Sequence, residues 1–101
     1  MNMIDNIMAL ESGELEGIEA AEAMQCVIND GSGWRMQGSW GRSMMQALED
    51  GDCLLGKHPT RDYYGNRIPS RDEVEEGTKG SYDYVVEAHG VEWADRMKAA
   101  A

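Results

Sequence analysis

The sequence predicts an all-α fold: four to five short helices in one small domain, with a long irregular middle segment. Three observations predict it. Apolar residues recur at helical spacing in residues 4–8, 15–29 and 40–48. Each of these stretches runs into a glycine-bearing stop, at Ser12-Gly13, Asn29-Asp30-Gly31 and Gly51. Between residues 52 and 69 the periodicity gives way to a stretch holding both prolines, Pro59 and Pro69. A chain of 101 residues is the length of one domain and supports one modest core.

The first helix is expected to start at an Asn2 cap, with Asp5 favourably placed in the first turn. Ile4, Ile7 and Met8 would face the core and Ser12-Gly13 would end the helix. The second helix is expected over residues 15–29. Ile18, Ala21, Met24 or Gln25, and Ile28 would line its inner side, with Leu15, Cys26 and Val27 nearby. Glu16, Glu19 and Glu22 stand at i, i+3 and i+6 and form an acidic ridge. Ser39 is the expected cap of a third helix, in which Trp40, Met44, Ala47 and Leu48 make an amphipathic stripe. Trp34, in the tight link before it, would pack beneath Trp40.

Residues 1–51 thus form a three-helix half, 52–69 a connector and 70–101 a set of C-terminal helices. In the connector, Cys53, Leu54 and Leu55 are expected to anchor the chain to the core, with a short extended pair around Tyr63 to Ile68. Ser70 and Glu73 form a capping-box pattern that opens only a short turn, because Gly77 follows. Ser81 is the expected N-cap of the helix YDYVVEAH, and Gly90 separates it from a last helix. There Trp93 and Met97 lie one turn apart and would close over the core.

The net charge is −10, and it is uneven: residues 1–34 carry seven acidic side chains and no Lys or Arg. Such a surface repels nucleic acid and favours basic partners. Eight methionines suit either irregular core gaps or an adaptable contact face. Two cysteines do not make a disulfide framework. The stretch MNMIDNIMALE has neither a basic leader region nor an apolar run long enough for a signal peptide or membrane span. The expected setting is a reducing cytoplasm.

The chemistry offered by the residues is sparse. Cys26, Cys53, His58 and His89 lack the close pairing of zinc ligands. GTKGS, residues 77–81, opens a helix and holds Lys79, but it is not a phosphate-loop pattern. No nucleophile elbow or HExxH pattern occurs. WRMQGSWGR interleaves aromatic side chains with Arg35 and Arg42, the composition of a protein-binding hot spot more than of a nucleic-acid surface on so acidic a chain. No catalytic residue, metal or cofactor is expected.

Two segments carry a resemblance: Glu11-Ser12-Gly13-Glu14-Leu15, then Trp34-Arg35-Met36-Gln37-Gly38-Ser39-Trp40-Gly41-Arg42. Over residues 4–55 the chain resembles a family of small proteins of tailed bacteriophages, common in phages of actinobacteria. Those proteins carry an ESGEL-like segment, a helix and a W-x-L-Q-G-x-Y-G-R element. Met36 stands here where Leu is usual and Trp40 where Tyr is usual. The resemblance implies a phage origin and life in the host cytoplasm, with no established activity to carry over. Physically, Gln37-Gly38 would tighten the turn. Arg42 would hold the acidic ridge, in a surface pair contributing about 0–1 kcal/mol.

The expected function is that of a non-enzymatic phage accessory protein. It would bind and modulate a host protein with a basic surface, as an acidic inhibitor of a defence or nucleic-acid-binding protein. The expected contacts are Glu16, Glu19, Glu22, Trp34, Arg35 and Arg42. One alternative is self-association through exposed Met and Trp. Another is a sponge for a nucleotide signal, with GTKGS, Arg35 and Arg42 on its phosphates.

Overall fold

A computed structural model describes residues 3–36 and 38–101, and for Met3 the backbone alone. The elements in order are α1 (Met3–Ser12), α2 (Gly17–Asp30), a 3-10 turn (Ser32–Arg35), α3 (Gly38–Glu49), β1 (Thr60–Arg61), β2 (Arg67–Ile68), α4 (Tyr82–His89) and α5 (Val91–Ala99). The fold is predominantly helical. β1 and β2 form one antiparallel hairpin, pairing Thr60 with Ile68 and Arg61 with Arg67. The expected Asn2 cap and the role of Gln37 in the turn lie outside the described residues.

α2 is the central element, packed against α1, the 3-10 turn, α3 and α5. It buries Ala21, Ala23, Gln25, Val27 and Ile28, and Gly31 ends it in the left-handed region. The helix starts at Gly17 rather than residue 15, because Glu16 holds an extended backbone and leaves Leu15 outside. Met44, Ala47 and Leu48 of α3, Val85 of α4, and Ala94 and Met97 of α5 complete the core with Trp34 and Cys53-Leu54-Leu55. Met44 and Met97 are fully buried, so part of the methionine content is core filling.

The connector crosses the core instead of skirting it. Gln25 is fully buried. It accepts from the Leu54 amide at 2.7 Å and donates to the Leu54 carbonyl at 2.9 Å, so one side chain satisfies both backbone groups of a buried residue. The Leu55 amide donates to the Gly80 carbonyl, and the Arg71 amide to that of Gly56. Close approach dictates two glycines. A side chain at Gly80 would meet Leu55 at 2.6 Å, and one at Gly51 would meet Ala88 at 2.5 Å. Ser81 caps α4 by accepting from the Tyr84 amide. Ser70 and Glu73 bond reciprocally over a short turn, as their pattern predicts.

Several expectations are corrected. Ile4 and Met8 do not face the core; they are 64% and 62% exposed. α1 has two apolar edges and α2 covers only one, so Ile7 and Leu10 pack inward beside the buried Asn6. Ser39 does not cap α3, because the helix already begins at Gly38 and Ser39 lies in its first turn. Trp40 does not enter the core: it is half-buried beside Leu10 and Met24, while Trp34 takes a buried position on the hairpin side of α3. Cys26 is only half-buried, and Cys53 is the core cysteine. The extended pair is real but sits on either side of Tyr63–Asn66, which form its turn.

The Gln25–Leu54 pair generates the first prediction. Gln25→Met keeps the side-chain length but strands a buried amide and a buried carbonyl. It should cost on the order of 3 kcal/mol, read as a lower denaturation midpoint at unchanged slope in urea.

Candidate interaction surface

Beyond the buried Leu55 the chain emerges at Lys57 and turns into the hairpin. Its base is held by Arg71, which donates to the Leu55 carbonyl at 2.8 Å and to Asn29 Oδ1 at 3.0 Å. Arg67 closes on Glu73 at 2.6 Å across the base. The hydrogen bond from Arg67 pulls the Glu73 carboxyl below the usual carboxylate range. One side is tied to the 3-10 turn, where the Tyr63 amide donates to the Trp34 carbonyl at 2.9 Å.

The tip is fixed by one carboxylate. Asp62 Oδ1 accepts from the amides of Tyr64 at 2.9 Å and Asn66 at 2.8 Å, an Asx-type arrangement beside the backbone bonds from the Asp62 amide to the Asn66 carbonyl and from the Gly65 amide to the Asp62 carbonyl. Arg61 Nη1 donates to the Gly65 carbonyl at 2.9 Å. The outcome is two aromatic side chains held out from the fold. Tyr63 is 67% exposed and Tyr64 80%, their rings edge to face at 5.3 Å.

Between this tip and the first half of α3 lies a groove of about 210 Å³, lined by Trp34, Met36, Arg42, Met45, Tyr63 and Ile68. Its electrostatics differ from the rest of the molecule. Arg67, Lys79 and Arg96 pair with Glu73, Glu49 and Glu22. Arg71 is spent on Leu55 and Asn29, and Lys98 lies 5.3 Å over the Tyr82 ring. Among the described residues, Arg35, Arg42, Lys57 and Arg61, like Arg71 and Lys98, form no ion pair with a carboxylate. Arg35, Arg42 and Arg61 belong to the 3-10 turn, α3 and the hairpin at this end of the fold, and Lys57 lies on the connector before the hairpin.

The six expected contact residues do not form one site. Trp34 and Arg42 meet on the groove, with Arg35 exposed on the neighbouring turn. Trp34 is only 4% exposed, so it is a wall of the groove and offers little surface to a partner. Glu16, Glu19 and Glu22 lie before and on the first half of α2, about 12 to 21 Å along its axis from Asp30 at 1.5 Å per residue. Arg42 therefore does not hold the acidic ridge. Arg96 of α5 does, donating from Nε to Glu22 at 2.8 Å. Tyr63 and Tyr64 escaped the sequence reading. Their signal was Asp-Tyr-Tyr-Gly-Asn between Arg61 and Arg67, a turn with aromatic residues where small polar ones are usual.

Other clusters are structural. His89 Nε2 lies 2.6 Å from Asp52 Oδ1 and its ring stacks on Trp93 at 3.9 Å. The Trp93 indole donates to the Asp52 carbonyl at 2.9 Å. This trio fastens α5 to the corner after α3, on the rim of a groove of about 530 Å³. Ser43 and Cys53 also line that groove, but both donate to backbone carbonyls, of Ser39 and Ala21. Burial pushes the Cys53 thiol far above its ordinary range, which leaves it inert. GTKGS folds on itself: the Gly77 amide donates to Ser81, Lys79 pairs with Glu49, and Gly80 abuts Leu55. Lys79 thus stands by the last turn of α3, away from Arg35 and Arg42, and the three do not form one phosphate site. Among the described residues no group of three or more His, Cys, Asp or Glu is placed to hold a metal ion. No helix among them is long and apolar enough to cross a membrane.

Two predictions concern the hairpin. Asp62→Ala should speed amide exchange at Tyr64 and Asn66 and lower global stability by only about 1 kcal/mol, since the lost bonds are exposed. Because the folded-state pKa of Glu73 is depressed, its contribution is present above the ordinary carboxylate pKa and fades as pH falls through the lowered one. Arg67→Gln should raise the Glu73 pKa toward its ordinary value in an NMR titration. Comparison with protein-family models, curated proteins and solved structures gives no match for this chain.

Proposed function

We propose that the protein is a non-enzymatic binding protein that docks a segment of another protein between the Tyr63–Tyr64 tip and α3. The observation that carries this reading is the tip itself: two exposed tyrosines on a turn held by Asp62, beside a groove floored by Trp34, Met45 and Ile68. Tyrosine contributes a large amphipathic surface with little rotamer freedom to lose. Tyrosine and arginine lead the composition of binding hot spots. On the resemblance of residues 4–55, the setting is a tailed bacteriophage and the cytoplasm of its host, with a host protein as partner.

A second reading keeps the acidic ridge as the contact for a basic host surface. It is favoured by the absence of any Lys or Arg in residues 1–34. Glu22 is already engaged by Arg96, so this reading rests on Glu16 and Glu19.

A tagged pull-down from nuclease-treated host lysate separates the two. Tyr63→Ala/Tyr64→Ala should reduce capture of a stoichiometric partner at least tenfold, the scale of one hot-spot loss above 1.4 kcal/mol. Equal capture by this variant removes the groove reading. Loss on Glu16→Lys/Glu19→Lys alone moves the contact to the ridge.

A further inference from the structure

We infer that the groove accepts α1 of a second copy of this chain, docked head to tail. The inference rests on the groove reading and names its occupant. Among the described residues, large apolar side chains stand exposed in two clusters: Ile4 and Met8 on α1, and Tyr63 and Tyr64 at the hairpin, with Val91 apart. Ile4 and Met8 are one turn apart and make a single apolar ridge. That ridge sits in the part of the chain that has acidic side chains and no Lys or Arg. Arg42 lines the groove, with Arg35 on the adjoining turn and Arg61 on the adjoining strand, and the Asp62 carboxylate that also lines it is taken up by the amides of Tyr64 and Asn66. Shape and charge are therefore complementary between the two clusters: an acid-flanked apolar ridge and a cation-flanked apolar groove.

One chain does not satisfy itself. α1 packs on α2, and the hairpin packs on the 3-10 turn. The ridge reaches a groove only on another copy. A nucleic-acid strand suits the groove less well. The tyrosine rings stand at 84° to each other and do not form parallel stacking platforms, and the net charge of −10 repels a phosphate backbone. The net charge of −10 opposes self-contact only locally, since the Debye length is about 8 Å at about 0.15 M salt. A helix of ten residues covers less than the ~800 Å² per partner of a standard interface, so the association is weak and concentration-dependent. Donor and acceptor surfaces differ, so the contact propagates instead of closing at two copies.

Sedimentation equilibrium at about 0.15 M salt tests this with two variants at exposed positions, each checked for folding by circular dichroism. Ile4→Asp/Met8→Asp keeps the groove and loses the ridge; Tyr63→Ala/Tyr64→Ala keeps the ridge and loses the groove. The wild-type weight-average mass should climb above 11.2 kDa with concentration. Each variant alone should remain at the monomer mass. Their equimolar mixture should associate and stop at twice that mass, because the one intact ridge and the one intact groove are spent on each other and both outward surfaces are disabled. A wild type that stays monomeric, a mixture that stays monomeric, or variants that associate like the wild type would overturn the inference. A monomeric wild type whose lysate partner is still lost on Tyr63→Ala/Tyr64→Ala ends self-docking and leaves the groove reading standing.

Discussion

Gln25 grips the backbone of Leu54 from inside α2, and the placement of the second half of the chain depends on that grip. A buried strand of connector has amides and carbonyls to satisfy, and no sheet runs beside it to do so. Gln25 answers for Leu54. The Gly80 carbonyl, the Arg71 guanidinium and the Arg71 amide answer for Leu55 and Gly56. The same network extends through Asn29, which accepts from Gln25 and Arg71 and donates to the Ala100 carbonyl at 3.0 Å. A polar seam thus joins α2, the connector, the turn after the hairpin and the end of α5. Apolar packing supplies the attraction around it, but the seam decides register.

The helical architecture was legible because its signals are local. Gly31, Gly51, Ser81 and Gly90 mark element ends through backbone conformation and capping, which need no tertiary knowledge. The burial of Cys53-Leu54-Leu55 was legible as an apolar triplet in a polar segment. What periodicity alone does not decide is which of two apolar edges is covered. Ile4 and Met8 have the spacing of core residues, yet α2 covers the Ile7 and Leu10 edge. Trp40 has the spacing as well, but Trp34 holds a buried position from a turn that has no period to read. The groove was half legible, in Arg42 and Trp34. Its other wall arrives from residues 63–68, more than twenty positions away, through an amide-to-carbonyl bond that no side-chain pattern announces.

Charge is sorted in space as well as along the chain. Residues 1–34 carry acidic side chains and no Lys or Arg, and Arg35, Arg42 and Arg61 lie on the 3-10 turn, α3 and the hairpin. The cations on α5 do not disturb this sorting. Arg96 is absorbed by Glu22 and Lys98 by the Tyr82 ring.

The hairpin tip stands apart from the seam that holds the fold. Tyr64, Gly65 and Asn66 are positioned by Asp62 and Arg61, neighbours in sequence, and only Tyr63 is tied to the core, by its amide on the Trp34 carbonyl. Substitution at the tip therefore leaves Gln25, Asn29 and Arg71 untouched, and the stability of the domain is nearly independent of what the tip presents. Recognition and folding are written in separate residues. A lineage carrying this scaffold is free to change what it binds by exchanging a few side chains at positions 63–66, without passing through unfolded intermediates.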